Sequence, residues 1–418
     1  MKFDMAMNIL LINHYAGSPA MGMEYRPYYL SKEWTAKGHN VTVILANNSH
    51  LRKYNPEISG NFFEQDVDGI GYLWVKTPEY EGNGFGRAKN MFAFIKKLFI
   101  KSSFIARKYK PDIVIASSTY PSDNYVARKI AKSAGAKYIY EVHDLWPLSP
   151  MELGEMSKYH PFIMAMQHAE SFAYRNADAV VSMLPKTKDY MINKGLQNNK
   201  WYFIPNGFVK SEWDTPKPLN EETAKSIEKI RSKYDTLVGY TGTLGLANAL
   251  QSLIVAGEKL KNDSVAIVMV GKGPEKDNLL SLISQKKLTN IFILDSVDKR
   301  EIPGLLARFD ILYIGLQHQP LFRFGISPNK MIDYMMASKP VIQAIKAGNN
   351  MVEEAGCGIA VEPENPEKLA EAIVTIKKLP LIEKETLGKN GKEYAIANHD
   401  YKILSKRFEE IMLKLLEK

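Results

Sequence analysis

The chain has 418 residues, enough for two domains of ordinary size, and its 45% hydrophobic and 24% charged residues are a globular composition. A single cysteine, Cys357, excludes an intramolecular disulfide and suits a reducing cytosol, and no apolar run approaches the roughly 18 residues of a membrane span. The formal net charge of +9 suits an anionic partner, whether phosphate, lipid headgroup or nucleic acid.

The apolar run Ile9-Leu10-Leu11-Ile12 is too short for a secretory signal and reads as part of a first strand over 8–12. The glycine-bearing segment Gly17-Ser18-Pro19-Ala20-Met21-Gly22 follows it. Its glycines let backbone approach a ligand closely. Further strand-like runs fall at 41–45, 112–116, 138–142 and 179–183, with helical patterns such as 28–37 and 123–133 between them. This alternation is that of a parallel sheet with helices on both faces. The order then restarts, with strands at 236–241, 265–270, 291–294, 311–314, 341–342 and 358–361 and helices within 248–260, 273–285 and 300–307.

The expectation is an α/β protein of two Rossmann-like domains, 1–212 and 213–400. Their connection lies within 205–218, which carries Pro205-Asn206-Gly207, Pro216 and Pro218. The last helix, 401–418, has Leu404, Phe408, Ile411, Met412 and Leu415 on its apolar side and is expected to cross back to the first domain. Two such domains would face each other across a cleft with ligands at the strand C-termini, and would close on a ligand.

The segment from Ser327 to Ile342 reads as a short helix feeding a strand. Ser327 suits an N-cap, Pro328 the first helical position, and Pro340 the stop. The start of such a helix, with Asn329 in its first turn, offers unpaired N–H groups and a positive dipole end to an anion. Lys330 adds a cation, and Asp333 follows on the same helix face. A cation for phosphate and a carboxylate for ribose hydroxyls suit a nucleoside diphosphate. A solvated Lys–Asp pair on an ordinary helix fits the same residues. Neither Gly17–Gly22 nor Gly271-Lys272-Gly273-Pro274 is a G-x-G-x-x-G, so a dinucleotide cofactor is not indicated. Asp66-Val67-Asp68 precedes Gly69 and reads as a turn. The eight histidines have no metal-ligand spacing, so no metal site is expected.

The stretch 85–110 contains no acid. Lys89, Lys96, Lys97, Lys101, Arg107 and Lys108 interleave with Phe85, Phe92, Phe94, Phe99 and Phe104. A basic, aromatic-rich helix of this kind suits an anionic bilayer surface, with Lys96, Lys97, Phe99 and Lys101 as contacts. Packing of one apolar stripe on the sheet is the ordinary alternative. No stacking motif supports nucleic acid as the anion.

Taken in order, Gly22-Met23-Glu24 with Arg26, Gly38-His39-Asn40-Val41, His143-Asp144-Leu145-Trp146-Pro147, Ile204-Pro205-Asn206-Gly207, Tyr240-Thr241-Gly242-Thr243, Val270-Gly271-Lys272-Gly273 and Pro328–Pro340 resemble the retaining glycosyltransferases of family 4, which have the GT-B fold. The resemblance runs nearly end to end. Within the family the chain is most similar to bacterial transferases that build O-antigen and capsule on lipid carriers, such as the N-acetylfucosamine transferase type. It implies a UDP- or GDP-linked sugar donor, retention at the anomeric carbon, no essential metal, an undecaprenyl-linked acceptor and a place on the cytoplasmic face of the inner membrane. It puts His143 beside the transferred sugar, where the residues alone allow a strand-end cap. It also places Gly22, Arg26, Gly242, Thr243, Ser327, Asn329, Lys330 and Asp333 at the donor. For Arg26 a surface pair with Glu24 or Glu33 is the alternative.

The chain departs from the family's pattern at two places. The family has two glutamates eight positions apart; here they are Gly325 and Asp333. The Arg and Lys that commonly follow the Tyr-Thr-Gly turn are missing from Thr243–Asn248. The diphosphate charge is left to Lys330, to backbone donors at Gly242-Thr243 and the Ser327 helix start, and secondarily to Arg323. Asp144 is the one carboxylate that suggests an enzyme nucleophile, and it also suits a turn cap, so same-face attack is the favoured route. A sugar-nucleotide epimerase of the same fold and a non-catalytic donor-binding subunit are the rival readings.

Overall fold

The computed structural model describes residues 6–22, 24–82 and 84–417. They form two compact units, one running to Asn206 and resuming at Tyr401, the other spanning Gly207–Asp400. Both are α/β, with Rossmann-like sheets, as the alternation of apolar runs and amphipathic stretches predicts.

The first unit is built on β1 (Asn8–Ile12), β2 (Asn40–Ala46), β3 (Phe62–Val67), β4 (Ile70–Val75), β5 (Ile113–Ala116), β6 (Lys137–Val142), β7 (Ala179–Ser182) and β8 (Trp201–Phe203). Their spatial order is β3-β4-β2-β1-β5-β6-β7-β8, parallel except for β3 against β4. Four of the five β1 residues and all of β5 and β7 are buried, which is why these strands read as unbroken apolar runs. Helices α1 (Arg26–Ala36) and α3 (Asp123–Ala134) pack on the sheet, and α2 (Phe85–Tyr109) packs along α3.

Two elements stand apart from the apolar pattern. The β3–β4 hairpin lies at the sheet edge and exposes most of β3, so β3 lacks the pattern of a buried strand. Asp68 and Gly69, with φ of 55° and 84°, form its turn, as an Asp-Gly pair favours. Asp66 and Asp68 are engaged there: Gly69 N–H donates to Asp66 and the Tyr28 hydroxyl to Asp68. The helix Tyr401–Leu416 packs on α1. Trp34 Nε1 donates to the Ser405 carbonyl at 3.1 Å, the Trp34 and Phe408 rings meet edge-on, and Glu409 accepts from Lys37 and pairs with His39.

The second unit carries β9 (Thr236–Thr241), β10 (Val265–Val270), β11 (Ile291–Leu294), β12 (Ile311–Gly315), β13 (Val341–Ala344) and β14 (Gly358–Val361). They are parallel throughout, in the order β11-β10-β9-β12-β13-β14. Leu237, Val268 and Leu312 feed one core layer; Val238, Ile267 and Ile311 feed the other. Strand order reverses between β1 and β5 in the first unit and between β9 and β12 in the second. Ligands bind open α/β sheets beyond the strand C-termini at such reversals, so the loops that follow these strands are where function is sought.

Candidate active site

In the second unit the key helix spans Asn329–Met336, one residue later than the cap pattern predicts. Pro328 is the N-cap, with extended backbone, and no side chain caps the helix; Ser327 lies one position further out. The first-turn N–H groups are therefore not met by a capping side chain, and Asn329 is exposed at the helix start. Lys330 reaches from this turn to the end of β9. Its Nζ donates to the Tyr240 hydroxyl at 2.9 Å and to Asn248 Oδ1 at 3.1 Å, and it lies 4.4 Å from the centre of the Tyr240 ring. Burial lowers its pKa to about 8.

Gly242 has a different part from the one anticipated. Its N–H already donates to the Val270 carbonyl at 3.0 Å, so it is not a spare donor for phosphate. Its value is space: with φ of 128°, it lacks the methyl that would sit 3.1 Å from Lys330 Nζ. The Thr243 carbonyl accepts from Tyr240 and Asn248, which ties the turn to the two residues that hold Lys330. Gly271 and Gly273 serve close backbone packing, since a methyl on either would strike the carbonyl of Gly242 or Leu244.

The Asp333 carboxylate makes no hydrogen bond or ion pair among the described residues. Burial raises its pKa to about 6 against the attraction of Lys299. Gly325, where the family carries an acid, has φ 95° and ψ 175°, a conformation open essentially to glycine alone. Arg323 is spent locally: its NH1 donates to the Pro320 carbonyl at 2.7 Å and its guanidinium lies over Phe324.

In the first unit His143 follows β6 directly, at the strand-end rim. Its Nε2 lies 3.2 Å from Glu141 Oε2 and 2.9 Å from Ser117 Oγ, and its Nδ1 lies 3.6 Å from Glu24 Oε2. Burial would lower its pKa, but Glu24 and then Glu141 outweigh that and raise it. Arg26, expected at the donor, is instead an interior bracket. It donates to Glu141 at 3.0 Å, to the Pro205 carbonyl at 2.5 Å and to the Ile204 carbonyl at 3.0 Å, and it is buried. Gly22, with φ of 89°, closes the Ser18–Gly22 turn and packs on the Lys53 backbone. Asp144 is exposed, and its carbonyl accepts from the Trp146 N–H in the following turn.

Glu141 and Ser117 are site residues that lie outside the motifs, and Glu24 lies in the Gly22-Met23-Glu24 motif without a role assigned to it. Glu141 had a signal, since a residue two before His143 on a strand shares its face. Tyr240, two before Gly242, had the same.

Helix α2 buries Met91, Phe94, Leu98 and Ile105 on one side. It exposes Phe85, Phe92, Phe99, Ile100 and Phe104 elsewhere, with Phe92 67% exposed. Lys96 and Lys101 are exposed with them. Lys97 differs from the expectation: its Nζ donates to Asn61 Oδ1 and to the Lys76 carbonyl, both at 2.7 Å. Phe99 is partly covered by Lys129, whose Nζ lies 3.8 Å from the ring centre. Among the described residues no helix is long and apolar enough to cross a membrane.

Comparison with known proteins bears on both units. Residues 21–207 match the family model of a glycosyl transferase 4-like domain, and residues 235–378 match that of glycosyl transferases group 1. The chain belongs to the family 4 glycosyltransferases of the GT-B fold. The transferase is 23% identical to the probable glycosyltransferase WbjE of Pseudomonas aeruginosa, over 72% of this chain and 76% of that one. It is likewise 23% identical to the putative colanic acid biosynthesis glycosyl transferase WcaI of Escherichia coli K12, over 83% of this chain and 87% of that one. Its fold is shared by Anabaena HepE, solved in complex with UDP-glucose, at a TM-score of 0.67 and 17% identity over 98% of this chain and 100% of that one.

Proposed function

We propose that this transferase moves a sugar from a nucleotide diphosphate-sugar to a lipid-linked or glycan acceptor in bacterial surface polysaccharide biosynthesis, with retention at the anomeric carbon. The observation that carries the donor half is Lys330. A half-buried ammonium at a helix start without a side-chain cap, one turn before a carboxylate that makes no hydrogen bond or ion pair among the described residues, matches a diphosphate and a ribose one turn apart. HepE in complex with UDP-glucose and the colanic acid relative support the donor class and the polysaccharide setting.

The chemical demand is the charge that builds on the leaving diphosphate as the glycosidic bond breaks. Lys330 and the helix dipole stabilise it, and no metal enters the proposal. His143 acts at the sugar. In same-face attack the acceptor oxygen forms the new bond to the anomeric carbon while the old carbon–oxygen bond breaks. The acceptor proton passes to the departing phosphate oxygen.

The acceptor half of the reading rests on α2. Its exposed aromatics, with Lys96 and Lys101 and no acid between Phe85 and Lys110, complement an anionic bilayer. The transferase then works at the inner face of the plasma membrane, where an undecaprenyl-linked acceptor is presented.

The test is incubation with UDP- and GDP-sugars and a lipid-linked acceptor, with the product's anomeric configuration read by NMR. Transfer with retention, unchanged after EDTA treatment, is the expected result. An inverted product would overturn the mechanism; a sugar epimerised without an acceptor would replace transfer by isomerisation.

A further inference from the structure

The distances among Glu141, Ser117 and His143 favour one arrangement of protons. Oε1 of Glu141 accepts from Arg26, and Oε2 accepts from Ser117 Oγ at 2.6 Å while lying 3.2 Å from His143 Nε2. Ser117 Oγ also lies 2.9 Å from that nitrogen. An ionised carboxylate only accepts, and a serine hydroxyl has a single proton. With that proton on Glu141, the hydrogen linking His143 to the cluster must sit on Nε2. Glu141 is ionised: burial pushes its pKa up, but Arg26 and then His143 bring it down to about 2. Nδ1 is left with no hydrogen bond among the described residues, and Glu24 is the carboxylate beside it.

We infer that Glu141 is the positioning residue of the first unit. It holds His143 with Nε2–H bound inward, so that Nδ1, paired with Glu24, is the atom offered to a sugar hydroxyl. A hydroxyl both donates and accepts; in the imidazolium, which keeps Nε2–H inward and adds Nδ1–H, the Nδ1–H beside the Glu24 carboxylate matches both roles. The identity of what reaches Nδ1 rests on the sugar-transfer reading; the position of the hydrogen rests on the protein alone. Four other charges bear on the ring. Glu24, in the loop before α1, and Asp144, next along the chain, favour the imidazolium, as does Asp123 on α3; Arg26 opposes it.

The experiment is imidazole ¹⁵N NMR of the full chain, with His143→Gln to assign the signal. In the neutral wild-type ring the hydrogen should sit on Nε2. Glu24→Gln and Glu141→Gln should each lower the His143 titration midpoint. The basic limb of the turnover–pH profile should move with the midpoint, while UDP or GDP affinity stays within about two-fold of wild type. Ser117→Ala keeps the carboxylate and should keep the Nε2–H form, which preserves the test if Glu141→Gln does not fold. A neutral wild-type ring with its hydrogen on Nδ1, or an unchanged midpoint in Glu24→Gln, overturns the inference. The predicted spectra in a protein that transfers no sugar would instead overturn the functional reading and leave this one standing.

Discussion

The ammonium of Lys330 and the hydroxyl of Tyr240 are 2.9 Å apart, although 90 positions separate them in the chain. The contact joins the start of one helix to the end of β9 and holds a half-buried cation where strand order reverses. Lys330→Ala should weaken a nucleoside diphosphate far more than the nucleoside. A charged hydrogen bond is worth roughly 1.5–3 kcal/mol, so the loss should be about ten-fold or more by calorimetry. Equal losses for the two ligands would remove Lys330 from the phosphates.

The same residue predicts a pH dependence. Burial has brought its pKa down to about 8, so the ligand-free amine loses its charge as pH rises through that value. A bound diphosphate favours the charged form and raises the pKa. Affinity should therefore fall above about pH 8, with proton uptake on binding at that pH. Calorimetry in buffers of different ionisation enthalpy measures the uptake. A diphosphate affinity flat from pH 7 to 9 would contradict it.

Asp333 has no partner among the described residues and a pKa raised to about 6 by burial. As a ribose ligand it must be ionised, so binding should weaken as pH drops through 6. Asp333→Asn should cost a ribose nucleotide more than its 2′,3′-dideoxy analogue. A uniform loss would make the residue structural.

The purified transferase should sediment with anionic vesicles, less with neutral ones, and release as salt rises. Lys96 and Lys101 are the side chains to reverse, because Lys97 is occupied by Asn61 and the Lys76 carbonyl. The double change to Glu should abolish sedimentation and leave the melting temperature near wild type. Retention of binding in that variant would assign α2 to internal packing alone.

Gly325→Ala should destabilise the protein by roughly 1–3 kcal/mol, read from denaturant melts, because its backbone lies in a glycine-only region. Gly325→Glu should fare no better and should not raise turnover. A stable, more active variant would show that the segment can take the family's usual form.

The strands that could be read from the sequence are those covered on both faces, since continuous burial leaves a continuous apolar run, as in β1, β5 and β7. Strand β3 is not legible: exposed, it carries Glu64, Gln65 and Asp66 where a covered strand carries apolar residues. At the site, Lys330 and Asp333 stood out because one short helix presents them together. Their environments came from other elements, so nothing local foretold that Gly242 would spend its N–H on Val270. Arg26 was misread for the same reason. A pair with nearby Glu24 or Glu33 is visible in a sequence, whereas its partners Glu141, Ile204 and Pro205 lie 115 to 179 positions away.

The bond from Trp34 to Ser405 closes a loop of 371 positions within one unit. During synthesis the α1 surface that receives Phe408 emerges early, and its cover emerges only after the second unit. The whole of Gly207–Asp400 can fold in the interval. Until then Trp34 and Tyr29 present an aromatic face to solvent and to chaperones. Completion of the first unit thus waits on a segment that lies beyond the whole of the second.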